Sequence, residues 1–256
     1  MIGRPGRRVL ARPRRFARWQ AVLAWVIVAN GIAVPGIAAP VGAAPVGAAP
    51  VGAAAPAPVS IAAAVAPDDA GRFGDGATSD DVRDTVHWVS ASHDNHALPF
   101  VVIDKVNAVV LAFDGRGNLR GRAPALLGMA RGDATVPGIG QRKLATITPA
   151  ERTTPAGRFE ASLGRDFEQD ILWIDYDAAL SLHRVIKGRR VDDRAGRLAS
   201  PTPSDNRISY GCVNVPPGFY DGVVKPLFTG TVGIVYILPE TKPLRSVFAI
   251  PTKVTG

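Results

Sequence analysis

The sequence is nearly without cysteine: Cys212 is the only one in 256 residues. No intrachain disulfide can form, so a disulfide-stapled fold is excluded. Acidic residues are absent from the first 66 positions, whereas seven arginines fall within residues 1–18. Removing those seven from the formal charge of +8 leaves 8 − 7 = +1 for residues 67–256. No basic face remains to suggest a nucleic-acid partner. Histidine is also scarce, at four. His87, His93 and His96 fit no zinc-binding spacing and have no thiol beside them, so neither a metal nor another cofactor is expected.

The arginine-rich start is followed by an apolar run from about Ala21 to Val34 and then by small residues. That order matches an export signal over residues 1–39, with the periplasm or cell envelope as destination. The apolar run is broken by Asn30, Gly31 and Pro35 and falls short of the ~20 residues of a spanning helix, so a cleaved signal is expected over an uncleaved anchor. No membrane partner beyond this signal is indicated. Residues 40–54 repeat Pro-Val-Gly-Ala-Ala three times, and Ala/Pro-rich sequence continues to Pro67. Residues 40–76 therefore read as a disordered linker.

The remainder is long enough for one domain with a core. Ser79-Asp80-Asp81 opens a helix with Val82, Val86 and Val89 on one face, giving a helical lead-in over 77–97. Strand texture follows at Pro99–Asp104, Ala108–Phe113 and Leu119–Met129, a short meander rather than a βαβ alternation. Gly132–Thr154 reads as a long loop. Strands are expected at Ile171–Asp175, Ala179–Val185 and Thr231–Leu238, and a helix from Pro216-Pro217 to about Phe228. Lys187–Arg207 reads as a polar loop, of a length that is usually functional. The tail 241–256 shows no pattern.

A lone thiol in an exported chain is an intermolecular half-cystine, an inert buried group or a nucleophile. A nucleophile needs a base, because a free thiol is mostly protonated at neutral pH. His183, in Ser181-Leu182-His183-Arg184, is the only histidine in the strand-rich part, and alternation puts it on one face with Ser181. Gly211 permits close backbone approach, and the amides of Gly211 and Cys212 are candidate oxyanion donors. A satisfied strand histidine and a small buried thiol are the plainer alternatives.

Ser209-Tyr210-Gly211-Cys212-Val213-Asn214, with His183 upstream, resembles the signature of the L,D-transpeptidases with a YkuD-type catalytic domain. Thr154-Pro155-Ala156-Gly157-Arg158-Phe159 and Gly230-Thr231-Val232-Gly233-Ile234-Val235 resemble that family's turn and closing strand, in the same order. The resemblance covers about Pro99 to Pro239. It departs at Tyr210, which stands where the family has His, at Arg184, and in a longer gap between His183 and Ser209.

The resemblance implies a mainly β, YkuD-like β-sandwich of short mixed strands over 98–240, with one helix after Cys212. It also implies action on peptidoglycan peptide stems. Cys212 would form a thioester at the carbonyl of the third residue with release of D-Ala, and His183 would be the base. Ser209, Tyr210, Gly211 and Asn214 would shape the site, and acylation by a carbapenem is expected. Arg184, Arg207 and Arg158 are candidates for gripping stem carboxylates. Two alternatives stay open: water as acceptor, and a non-catalytic peptidoglycan-binding module. An exported redox protein is disfavoured, because no second cysteine is present to resolve a mixed disulfide.

Overall fold

The structure, a computed structural model, describes residues 73, 77–166 and 168–251. The predicted export signal lies outside these residues, as does the predicted linker apart from Phe73. Phe73 is buried and meets the Phe113 ring edge-on.

Among the described residues ten strands carry the fold: β1 (Phe100–Asp104), β2 (Val109–Phe113), β3 (Leu119–Pro124), β4 (Leu127–Gly128), β5 (Gly157–Asp166), β6 (Gln169–Asp175), β7 (Leu180–Arg184), β8 (Arg207–Ser209), β9 (Val213–Val215) and β10 (Val232–Ile237). The helices are α1 (Asp80–Ser92), α2 (Arg194–Ala199) and α3, a run over 217–228 whose middle, Tyr220–Val224, is π-helical. Eight strands form one mixed sheet in the order β3-β2-β1-β10-β5-β6-β7-β9, and β4 pairs with β8 in a two-stranded ladder. The fold is mainly β, with a large mixed sheet and few helices.

The sheet is apolar on both faces. Strand β1, Phe-Val-Val-Ile-Asp, is buried at every position, as its β-branched run requires of a strand covered on both sides. Alternate residues point to opposite faces. Phe100, Val102, Phe113 and Tyr236 meet Val82, Val86 and Val89 of α1, and Phe100 stacks on Phe113 with ring centroids 4.8 Å apart. Val101, Ile103, Val110 and Val235 meet Phe219, Tyr220, Val224 and Phe228 of α3. Helix α1 starts at Ser79, whose Oγ accepts from the Val82 N–H and donates to Asp104 Oδ2 at the end of β1.

Three expectations change. The third strand does not run unbroken to Met129. Pro124 has no N–H for the ladder, and the chain turns inward after it, so that Leu126 and Asn214 exchange backbone hydrogen bonds of 2.8 and 2.9 Å. The loop 187–207 contains α2, capped by Asp193, whose side chain accepts from the Gly196 N–H. The patternless tail packs on the α1 face of the sheet through Leu244, Phe248 and Ile250.

A buried ionic cluster joins these parts. Lys105, directly after β1, has a fully buried side chain, and its Nζ donates to Gly132 O (2.6 Å), Thr154 O (2.8 Å) and Asp133 Oδ1 (2.8 Å). Glu240 Oε1 lies 3.7 Å from the same ammonium, and Arg207 Nη2 donates to Glu240 Oε2 at 2.6 Å. Burial pushes the Lys105 ammonium below its ordinary pKa, against the pull of Asp133 and Glu240. Burial pushes Asp133 up. Hydrogen bonds from Lys105, Thr241 and two backbone N–H groups outweigh that and hold its carboxyl well below the usual range.

Lys105→Met leaves two buried carboxylates with Arg207 as their main cation and should cost about 3–5 kcal/mol in urea unfolding. A loss below about 1 kcal/mol would contradict this account. Because the folded pKa of Asp133 is depressed, its contribution is present above the unfolded value near ~3.9 and is lost as pH falls further.

Candidate active site

Cys212 sits on the turn between β8 and β9, where the chain passes from the small ladder to the edge of the large sheet. Strand β9 pairs in parallel with β7, which puts Leu182 beside Val213 and His183 beside Asn214. Leu182 faces the core, so Ser181 and His183 share the opposite face with the thiol. Ser181 Oγ donates to Cys212 Sγ at 3.5 Å, and the thiol reaches Ala179 O at 3.4 Å.

The imidazole is held at both nitrogens. Nδ1 lies 2.8 Å from Arg184 O, and a carbonyl only accepts, so Nδ1 carries the proton and Nε2 is the acceptor. Asn214 Nδ2 donates to Nε2 at 3.1 Å, and Arg194 Nη1 donates to Asn214 Oδ1 at 2.8 Å, which fixes the amide's orientation.

Burial disfavours the Cys212 thiolate, but the neighbouring His183 and the Ser181 hydrogen bonds outweigh it, and the thiol titrates below its ordinary value. Burial likewise disfavours charge on His183. Its interaction with Cys212 and the Arg184 carbonyl prevails and raises it, against the opposing charge of Arg194. Both shifts favour a thiolate–imidazolium pair.

The turn is shaped by a few hydrogen bonds. Ser209 Oγ donates to Cys212 O (2.6 Å) and accepts from the Gly211 N–H (3.0 Å). The Gly211 amide is thus engaged, which corrects its assignment as an open oxyanion donor and leaves the Cys212 amide of the two. Gly211 has φ 134°, a region open mainly to glycine, and a Cβ there would stand 2.8 Å from Thr153 O. Its carbonyl accepts from Thr154 Oγ1 at 2.7 Å, and the same Oγ1 accepts from the Gly128 N–H at 2.9 Å. Thr154 O binds Lys105, so the ionic cluster is two residues' contacts away from the thiol's loop.

A cleft of about 680 Å³ opens over the thiol, lined by Trp173, Ser181, His183, Arg194, Tyr210 and Cys212 among others. The Tyr210 ring is covered by the Arg152 guanidinium, 3.9 Å from its centroid. Through this contact Tyr210 braces the loop 132–154 against the cleft.

Cys212, His183, Ser209, Tyr210, Gly211 and Asn214 therefore come together. The three predicted substrate arginines lie outside the cleft lining. Arg158 pairs with Asp94 at 2.6 Å, Arg207 belongs to the Lys105 cluster, and Arg184 pairs with Asp170 and Asp221 while covering the Tyr220 ring. Each finds a carboxylate far away in sequence, which local sequence does not disclose. The arginines that line the cleft are Arg142 and Arg194. Ser181 and Thr154 also escaped assignment, although alternation about His183 already places Ser181 on the active face. Of His87, His93 and His96, none lines the cleft.

No family model and no curated protein matches the chain. Solved structures similar to it include the helical cell shape determining protein Pgp2 from Campylobacter jejuni, at 13% identity and a TM-score of 0.36, covering 61% of this chain and 55% of that one. The LD transpeptidase LdtMt1 in complex with imipenem is similar at 13% identity and a TM-score of 0.31, over 55% of this chain and 58% of that one. The catalytic domain of the E. faecium L,D-transpeptidase is similar at 18% identity and a TM-score of 0.28, over 54% and 95%. The chain spans a little over half the length of the first two.

Alkylation of Cys212 by iodoacetamide should show an apparent pKa below the ~8.5 of a free thiol. His183→Ala should move it upward; an unchanged profile would remove His183 as the thiol's partner. Gly211→Ala should destabilise the turn by about 1–3 kcal/mol, read as a lowered urea midpoint.

Proposed function

We propose that this protein is an exported cysteine acyltransferase acting on the peptide stems of peptidoglycan. The observation that carries the chemistry is the half-buried Cys212 thiol, lowered by its contacts with His183 and Ser181 in an open cleft. The substrate class rests on the resemblance of the ordered motifs around Thr154, His183, Cys212 and Gly230 to the L,D-transpeptidases.

In this reading the Cys212 thiolate adds to the carbonyl carbon of the third, diamino-acid residue of a stem. The Cys212 N–H faces the oxyanion that develops. As the tetrahedral adduct collapses, the C–N bond breaks and His183 passes a proton to the departing amine of D-Ala. A thioester remains. An amine or water then attacks its carbonyl and gives a proton to Nε2, and the C–S bond breaks to restore the thiolate. Ser209 and Thr154 hold the turn, and Tyr210, with Arg152 against its ring, lines the cleft.

Incubation of the purified protein with a carbapenem, followed by intact mass measurement, tests the thiol. One adduct is expected on the wild type and none on Cys212→Ala. No adduct on the wild type, or an adduct on the alanine variant, would contradict the proposal. His183→Ala should slow adduct formation at neutral pH by about 10²-fold or more.

A further inference from the structure

The two arginines of the cleft differ in their partners. Arg142 is paired with Glu151 at 2.7 Å. Arg194, delivered by the first residue of α2, has no carboxylate partner among the described residues. Its Nη1 donates to Asn214 Oδ1, and its Nε is buried without an acceptor. A guanidinium carries five donors in a planar fork suited to a carboxylate. This one faces the cleft with most of that capacity unused.

The guanidinium passes the bare backbone of Gly188, where a Cβ would stand 2.8 Å from both Arg194 Nε and Asp192 Oδ2, and Asp192 is itself paired with Arg189. The guanidinium also lies one bridging amide from the base, through Arg194 Nη1 to Asn214 Oδ1 and Asn214 Nδ2 to His183 Nε2. Any amine that departs from, or attacks, an acyl group on Cys212 exchanges its proton at His183. In an α-amino acid the amine and the carboxylate share one carbon. With the amine at the imidazole, that carboxylate falls within reach of Arg194. A simple alkylamine or a protein lysine side chain brings no charge to that place.

We propose that Arg194 is a specificity-determining residue that reads a carboxylate borne on the same carbon as the departing or attacking amine. This deepens the acyl-transfer reading and rests on it. The acceptor class it selects is the α-amino acid, free or at the end of a diamino-acid side chain. The step is balanced within that reading: the C–N bond forms as the C–S bond breaks, and the amine proton passes to His183 as the thiolate returns. Neutralising Arg194 with a carboxylate also removes the charge that opposes protonation of His183.

The test uses the full chain, a stem tetrapeptide as donor, and glycine or D-alanine against glycinamide or D-alaninamide as acceptors. Rates are corrected for the fraction of free amine. The wild type should prefer the acid over its amide by about tenfold or more, the gain expected of one charge-assisted contact. Arg194→Gln should bring the ratio to within about threefold of unity, and Arg194→Lys should keep an intermediate preference. A wild-type ratio near one would overturn the proposal without any variant having to fold. So would an undiminished ratio in the glutamine variant. Intact mass measured alongside separates the two claims: absence of any thioester from the donor defeats the acyl-transfer reading itself, whereas a thioester with no acid preference defeats only the role of Arg194.

Discussion

A lysine ammonium with no exposure to water organises this molecule. Lys105 ends its strand inside the protein, where an unpaired charge is prohibitively costly, so the chain must bring oxygen atoms to it. Those oxygens come from Gly132, Asp133 and Thr154, and Glu240 and Arg207 close the cluster. The loop 132–154, the start of β8 and the segment after β10 are thereby pinned to the end of β1. Thr154 then donates its hydroxyl to Gly211 O, which ties the Cys212 turn to the cluster.

The sheet supplies what the cluster cannot, a face on which the Cys212 thiol and the His183 imidazole meet. Parallel pairing of β7 with β9 requires a long crossover, and that crossover contains both α2 and the thiol's turn. One consequence is that Ile186, Arg194, Ser209 and Tyr210 of this crossover line the cleft. Arg194 reaches Asn214 from this segment, and Asn214 holds the imidazole tautomer. The same segment that lengthens the chain between His183 and Cys212 adds a cation to the cleft.

Much of this was legible in the sequence where the signal is local. Ser79 capping α1, the buried run of β1 and the apolar run of β10 each follow from a few neighbouring residues. The pairing of Cys212 with His183 was legible because each is the single residue of its type in the strand-rich region. Lys105 was not legible: it reads as a turn residue, and its partners lie 27, 28 and 49 positions away. For the same reason the local sequence did not disclose that Arg158, Arg184 and Arg207 pair with distant carboxylates. Helix α2 is six residues long with a glycine inside, too short for periodicity to reveal. Its stability comes from Asp193 at its start and from Arg197, which donates to Asp205 O. Nothing in a stretch holding Arg189, Arg190, Arg194 and Arg197 marks out the one that enters the cleft.

The central claim is that Cys212 carries an acyl group taken from a peptide stem. Mixing the protein with a stem tetrapeptide, quenching in acid within a turnover and mapping the adduct by peptic digestion and mass spectrometry addresses it directly. The account predicts the donor's first three residues as a thioester on Cys212, with one equivalent of the terminal amino acid released. Release without any adduct on Cys212, or an adduct on another residue, would contradict it.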